Sequence, residues 1–143
     1  MIAKIMTPPT VLVVDDEPYL THAVSLSLRR AGYEPLIADD GEQGYVLACE
    51  SQPVLIVTDY QMPVLSGMEM SRRLSRNQAT ASIPILMLTA RGYRIDPFEL
   101  DQTNIKLLMP KPFSARDLIA RIQGLIGPGI SVDTAEGEAE AAA

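Results

Sequence analysis

The chain has 143 residues, 47% of them hydrophobic, enough to bury one core and too few for a second full domain, so no attached effector module is expected. Its formal charge is -6, and setting aside Asp133, Glu136, Glu138 and Glu140 of the C-terminal stretch leaves -2 for the body, which excludes a basic footprint for direct nucleic-acid binding. The single cysteine, Cys49, excludes an internal disulfide, and no apolar run approaches the roughly 18 residues of a membrane span, so a cytoplasmic protein without membrane contact is expected.

Met1 to Thr7 lacks an apolar stretch of signal-peptide length, and residues 1–9 read as a short extension. Thr10 to Val14 is an apolar run typical of a strand buried on both faces, and Asp15-Asp16-Glu17-Pro18 stops it. Pro18 suits a first helical turn, and Leu20, Val24, Leu28 and Ala31 keep helical spacing up to Gly32. Glu34 to Ala38 reads as a second strand. A helix capped by Asp39 or Asp40 then extends to about Glu50, weakened by Gly41 and Gly44.

Val54 to Asp59 is the third and most apolar strand, and it delivers one carboxylate at its C-terminal end. Gln61 to Gly67 has loop chemistry, with Ser66 as N-cap of a helix through Leu74. Ile83 to Thr89 is the fourth strand. The segment from Arg91 to Ile105 holds Gly92 and Pro97, so any helix there is short. Lys106 to Met109 forms a fifth strand, followed by Pro110-Lys111-Pro112-Phe113. Ser114 and Asp117 open a last helix with Leu118, Ile119, Ile122, Leu125 and Ile126 on one face. Gly127 ends it, and residues 128–143 read as a disordered acidic Ala/Glu tail.

Strand and helix thus alternate about five times, which argues an α/β fold with a parallel sheet covered on both faces. In such sheets ligands sit beyond the carboxyl ends of the strands. There the order places Asp15 and Asp16, Asp59, Thr89 and Lys111 on one edge. Carboxylates so gathered repel, each pair at about 4 Å costing on the order of 4 kcal/mol at an effective dielectric near 20. A hard divalent cation, Mg²⁺ above all where phosphate completes the shell, relieves that repulsion. An aspartate can also act as a nucleophile toward phosphorus, with a lysine and a hydroxyl stabilising the transferring group.

Val13-Val14-Asp15-Asp16-Glu17-Pro18, Asp59 followed by Met62-Pro63 and Gly67, Thr89-Ala90 and Lys111-Pro112-Phe113, in this order and spacing, resemble a response-regulator receiver domain of two-component signalling, of the stand-alone, chemotaxis-regulator-like kind. The resemblance covers about Thr10 to Ile126 and places the receiver domain at residues 10–127. It implies a flavodoxin-like, doubly wound (βα)5 fold with strand order 2-1-3-4-5. It also implies that Asp59 accepts phosphate from a sensor histidine kinase or phosphotransfer protein. Asp16, Asp59 and the backbone carbonyl of Gln61 would bind Mg²⁺, with Asp15 acting partly through water. Thr89 would hold the phosphoryl group, Lys111 would pair with it, and the Lys111–Pro112 bond would be cis. Such a module binds a downstream protein when phosphorylated and catalyses only its own phosphoryl transfer and dephosphorylation. The family often has an aromatic residue three positions before the lysine; here that position is Leu108. Gln61 and Arg91 fall at positions that in the family tune phosphate lifetime.

Two other functions compete. An aspartate-nucleophile phosphatase would carry a second aspartate two residues after the nucleophile, where this chain has Gln61. A receiver-like scaffold would bind partners without phosphorylation. A dinucleotide site is disfavoured, because Asp15-Asp16-Glu17 fills the turn where a glycine-rich cradle is needed. His22, the single histidine, reads as a surface residue of a helix, and Met62, Met68, Met70 and Met87 read as core fillers.

Overall fold

The structure, a computed structural model, describes residues 7–90 and 92–130. Of the tail expected over residues 128–143, the part beyond Ile130 lies outside the described residues, as do the first six residues and Arg91. Five parallel strands, β1 (Thr10–Val14), β2 (Glu34–Ala38), β3 (Leu55–Asp59), β4 (Ile85–Thr89) and β5 (Ile105–Pro110), form one sheet in the order β2-β1-β3-β4-β5. Between and after them come α1 (Pro18–Arg30), α2 (Gly41–Ser51), α3 (Gly67–Arg76), α4 (Pro97–Asp101) and α5 (Ala115–Ile126). This is the flavodoxin-like fold that the resemblance implied.

Alternation along the central strands sends side chains to opposite faces. Val11, Val13, Leu55, Val57, Leu86 and Leu88 meet Val24 and Leu28 of α1 and Leu118 and Ile122 of α5 in one core. Leu12, Val14, Ile56 and Ile85 meet Ala48 of α2 and Met70 and Leu74 of α3 in the other. β3 and β4 are buried at every residue, which explains their unbroken apolar sequence. A third, smaller cluster of Met68, Met87 and Ile95 lies toward α4, with Tyr60 and Leu108 against it. Met68, Met70 and Met87 are buried core residues with Met62 half-buried against the core, and His22 is exposed on α1.

Several boundaries shift from expectation. β3 begins at Leu55 and β4 at Ile85, because Val54 and Pro84 sit before the paired register. β5 gains Ile105 and Pro110 through pairing with Ile85 and Thr89. Helix α3 extends to Arg76, past Leu74. Of the two cap candidates, Asp40 accepts from the Gln43 N–H at 2.8 Å. Pro97 starts α4 instead of weakening it, since a proline at the first turn forfeits no helical bond and the Asp96 side chain accepts from the Phe98 N–H. Gly41 and Gly44 cost helix propensity, but a Cβ on Gly41 would lie 2.2 Å from the Leu65 carbonyl oxygen, and one on Gly44 2.8 Å from the Met70 sulfur. Those glycines let α2 approach the sheet and α3.

The segment after α5 is not a free tail at its start. The Ile130 N–H donates to the Gly32 carbonyl at 2.9 Å, and the Tyr33 hydroxyl donates to the Gly127 carbonyl at 2.6 Å. Residues 127–130 therefore close over the α1–β2 turn.

Candidate phosphorylation site

Parallel pairing brings the C-terminal ends of β1, β3 and β4 level with one another, because Val14 pairs with Thr58 and Asp59 with Leu88. Asp15, one residue past β1, is buried, with its carboxylate accepting from the Glu17 N–H at 2.9 Å. Asp59 ends β3 at 9% exposure. Asp16 projects from the same turn into solvent. One carboxylate oxygen from each of Asp15, Asp16 and Asp59 lies within 4.8 Å of the others.

Lys111 enters from the far side of the sheet. Its Nζ lies 3.2 Å from Asp15 Oδ2, 3.4 Å from Asp59 Oδ1 and 3.5 Å from Glu17 Oε1. The Lys111–Pro112 bond is cis, as the resemblance implied. The Lys111 N–H donates to the Thr89 carbonyl at 2.7 Å, so the loop carrying the lysine is tied to the end of β4. Thr89 itself is 4% exposed.

Burial raises the Asp59 pKa first, and the Asp15 charge adds to it, with Lys111 pulling the other way. Asp15 is raised by burial as well, against the Glu17 amide and Lys111. For Lys111, burial favours the neutral amine, but the two aspartates outweigh it and its pKa is raised. One half-buried cation thus faces two carboxylates that are costly to ionise together. Beside them, Asp16, Glu17, Tyr60, Gln61, Ala90 and Tyr93 complete the walls of a cavity of about 300 Å³ that opens to solvent.

The donor set is all oxygen, partly buried, and carries more negative charge than Lys111 offsets, which fits a hard divalent cation such as Mg²⁺. Of the residues read from sequence, Asp15, Asp16, Asp59, Gln61 and Lys111 meet at this cavity or its floor, and Thr89 lies beside it. Sequence reasoning missed Glu17 as a lysine partner and missed Tyr60. The signal for Tyr60 was its place directly after the strand-end aspartate. A larger apolar groove of about 560 Å³ adjoins the site, lined by Tyr19, Leu20, Val24, Pro112 and Phe113 and sharing Glu17 and Lys111 with it.

Residues 11–123 match the family model described as the response regulator receiver domain. The phosphate regulon transcriptional regulatory protein PhoB of Pseudomonas aeruginosa is 37% identical over 129 residues, covering 88% of this chain and 56% of that protein. The DNA-binding dual master transcriptional regulator RpaA of Synechocystis is 37% identical over 118 residues, 82% of this chain and 49% of that protein. The chain therefore spans about half the length of these relatives. Among solved structures, the chemotaxis response regulator CheY4 of Vibrio cholerae superposes with a TM-score of 0.77 at 30% identity, covering 83% of this chain and 99% of that one. The receiver domain of the sensor histidine kinase PA1611 from Pseudomonas aeruginosa, with a magnesium ion coordinated in its active-site cleft, gives 0.75 at 28%, covering 83% and 98%. On a family match across most of its length and on the geometry above, this chain belongs to the response regulator receiver domains of two-component systems.

Proposed function

We propose that the chain is a phosphorylatable receiver in which Asp59 accepts a phosphoryl group from a histidine kinase or phosphotransfer protein and the phosphorylated form binds a protein target. One observation carries the reading: the Asp59 carboxylate, held between Asp15 and Lys111 within 3.4 Å of the lysine, faces a solvent-open cavity large enough for a phosphoryl group.

In the proposed step an Asp59 oxygen attacks phosphorus and the donor's P–N bond breaks. The leaving imidazole nitrogen keeps the electron pair, and Lys111 offsets the charge gathering on the phosphoryl oxygens. Thr89, at the adjoining strand end, supplies a hydroxyl to one of those oxygens. Asp15, Asp16 and Asp59, with the Gln61 carbonyl, would hold Mg²⁺, which when bound screens the phosphoryl oxygens from the acidic cluster. The apolar groove beside Lys111 suits a helix of the donor protein, since a phosphohistidine must be carried to within bonding distance of Asp59.

On this reading the module turns over no external metabolite, and phosphate leaves only by hydrolysis or onward transfer. It would work in the reducing, cation-rich cytoplasm. The DNA binding named for RpaA is a property of that longer protein. Nothing in this body's charge supports it here.

Incubation with acetyl phosphate tests the reading. Wild type should take up phosphate only with Mg²⁺, and Asp59→Asn should take up none. Uptake unaffected by Asp59→Asn would move the acceptor elsewhere, and no uptake with any donor or metal would leave the phosphorylation-independent scaffold.

A further inference from the structure

Tyr60 and Tyr93 form a pair at the rim of the cavity that the phosphoryl chemistry described so far does not use. Their ring centroids lie 4.6 Å apart, tilted by 44°, and the Tyr93 hydroxyl lies 2.7 Å from that of Tyr60, to which it donates. Both rings line the space that holds Asp59 and Lys111.

The two tyrosines are anchored very differently. Tyr60 follows Asp59 directly, its N–H donating to the Leu88 carbonyl at 2.9 Å and its own carbonyl accepting from the Gly67 N–H at 2.8 Å. Its ring rests on the cluster of Met68, Met87 and Ile95. Tyr93 is 42% exposed, and its backbone is held by a single-turn bond from its N–H to the Ala90 carbonyl at 3.0 Å. Gly92 before it has a φ of +81° and open space around it, and α4 beyond buries no residue. A fixed post and a loosely held partner are thus joined by one hydroxyl–hydroxyl bond.

We infer that the Tyr60–Tyr93 bond holds the Tyr93 ring as a wall over the phosphorylation cavity and thereby sets how fast water reaches the phosphorylated aspartate. Both tyrosines are positioning residues for this step. In it, water oxygen attacks phosphorus and the P–O bond to Asp59 breaks. The electron pair restores the carboxylate, and inorganic phosphate leaves with the water's surplus proton released to solvent. The inference rests on the phosphoacceptor reading above. One lost hydrogen bond of ordinary net worth shifts a closed-to-open ratio by roughly 3- to 10-fold.

The test follows the loss of ³²P from the labelled full chain in Mg²⁺ after the donor is removed. Wild type is compared with Tyr60→Phe, Tyr93→Phe and the double variant, which keep both rings. Each single variant should lose phosphate roughly 3- to 10-fold faster, and the double variant no faster than either single, since all three break the same bond. Melting temperatures should stay near wild type, which separates this role from a merely structural one. Decay at the wild-type rate in both singles, or a double effect equal to the product of the singles, overturns the inference while leaving the phosphoacceptor reading in place. A wild type that takes no label overturns that reading first, and the inference with it.

Discussion

The loops after β3 and β4 leave the sheet side by side, yet they are built to opposite tolerances. After β3 the chain turns at Gly67, where a Cβ would lie 2.0 Å from the Asp59 carbonyl oxygen, and Ser66 caps the Glu69 N–H at 3.1 Å. After β4 it passes Gly92, where an added Cβ would meet no atom within 4 Å, to a five-residue helix with no buried side chain. The first loop fixes the acceptor; the second leaves room for movement beside it. Precision and compliance are thus assigned to neighbouring strand ends of one sheet, which suits a site that must both bind a group and respond to it.

The largest effect should come from breaking the tight side. Gly67→Ala forces a methyl into the Asp59 backbone and should cost about 3 kcal/mol or more of unfolding free energy, read by urea denaturation, together with loss of phosphate uptake. A cost below 1 kcal/mol would show that the β3–α3 turn yields as readily as its neighbour.

A smaller effect sharpens the electrostatic part of the comparison. Because the folded-state pKa of Asp59 is raised above its ordinary value of 3.8, the folded protein holds that proton more tightly than the unfolded chain. Its contribution to stability is therefore complete below about pH 4 and is lost as pH rises through the folded pKa. Without divalent metal, Asp59→Asn should gain stability relative to wild type as pH rises from 4 to 7. Millimolar Mg²⁺ should reverse the order, since a cation that binds the ionised set stabilises only the wild type. Parallel stability curves for the two proteins, with and without Mg²⁺, would contradict this.

The smallest effect belongs to the open side. Gly92→Ala meets no atom and bears only the conformational cost of a positive φ, about 1 kcal/mol by urea denaturation, with phosphate uptake intact. A loss as large as that of Gly67→Ala would erase the distinction between the loops.

The same contrast marks what the sequence could reveal. β3 and β4 were legible because strands buried on both faces show their burial as unbroken apolar runs, and Asp59, Thr89 and Lys111 were legible because strand ends in a parallel sheet share an edge. Gly41 and Gly44 misled because propensity counts their cost, while the Leu65 carbonyl and the Met70 sulfur that require them lie across the fold. The Tyr60–Tyr93 contact joins residues 33 positions apart across a loop without regular period, so no spacing rule discloses it. Leu108 occupies the position where an aromatic residue was sought. The structure has aromatic contact with the cavity by way of Tyr60 and Tyr93 instead.

The closure of residues 127–130 over the α1–β2 turn carries a consequence for communication along the chain. Ile130 lies at the end of the sheet opposite Asp59, on the order of 16 Å away for strands of this length. At physiological ionic strength charges are screened within about 8 Å. A phosphoryl group on Asp59, as proposed, would therefore reach Ile130 as a mechanical event and not as an electric field. The continuous path is α5, tied at its far end through the Lys111 amide to the Thr89 carbonyl and at its near end by Tyr33 to Gly127.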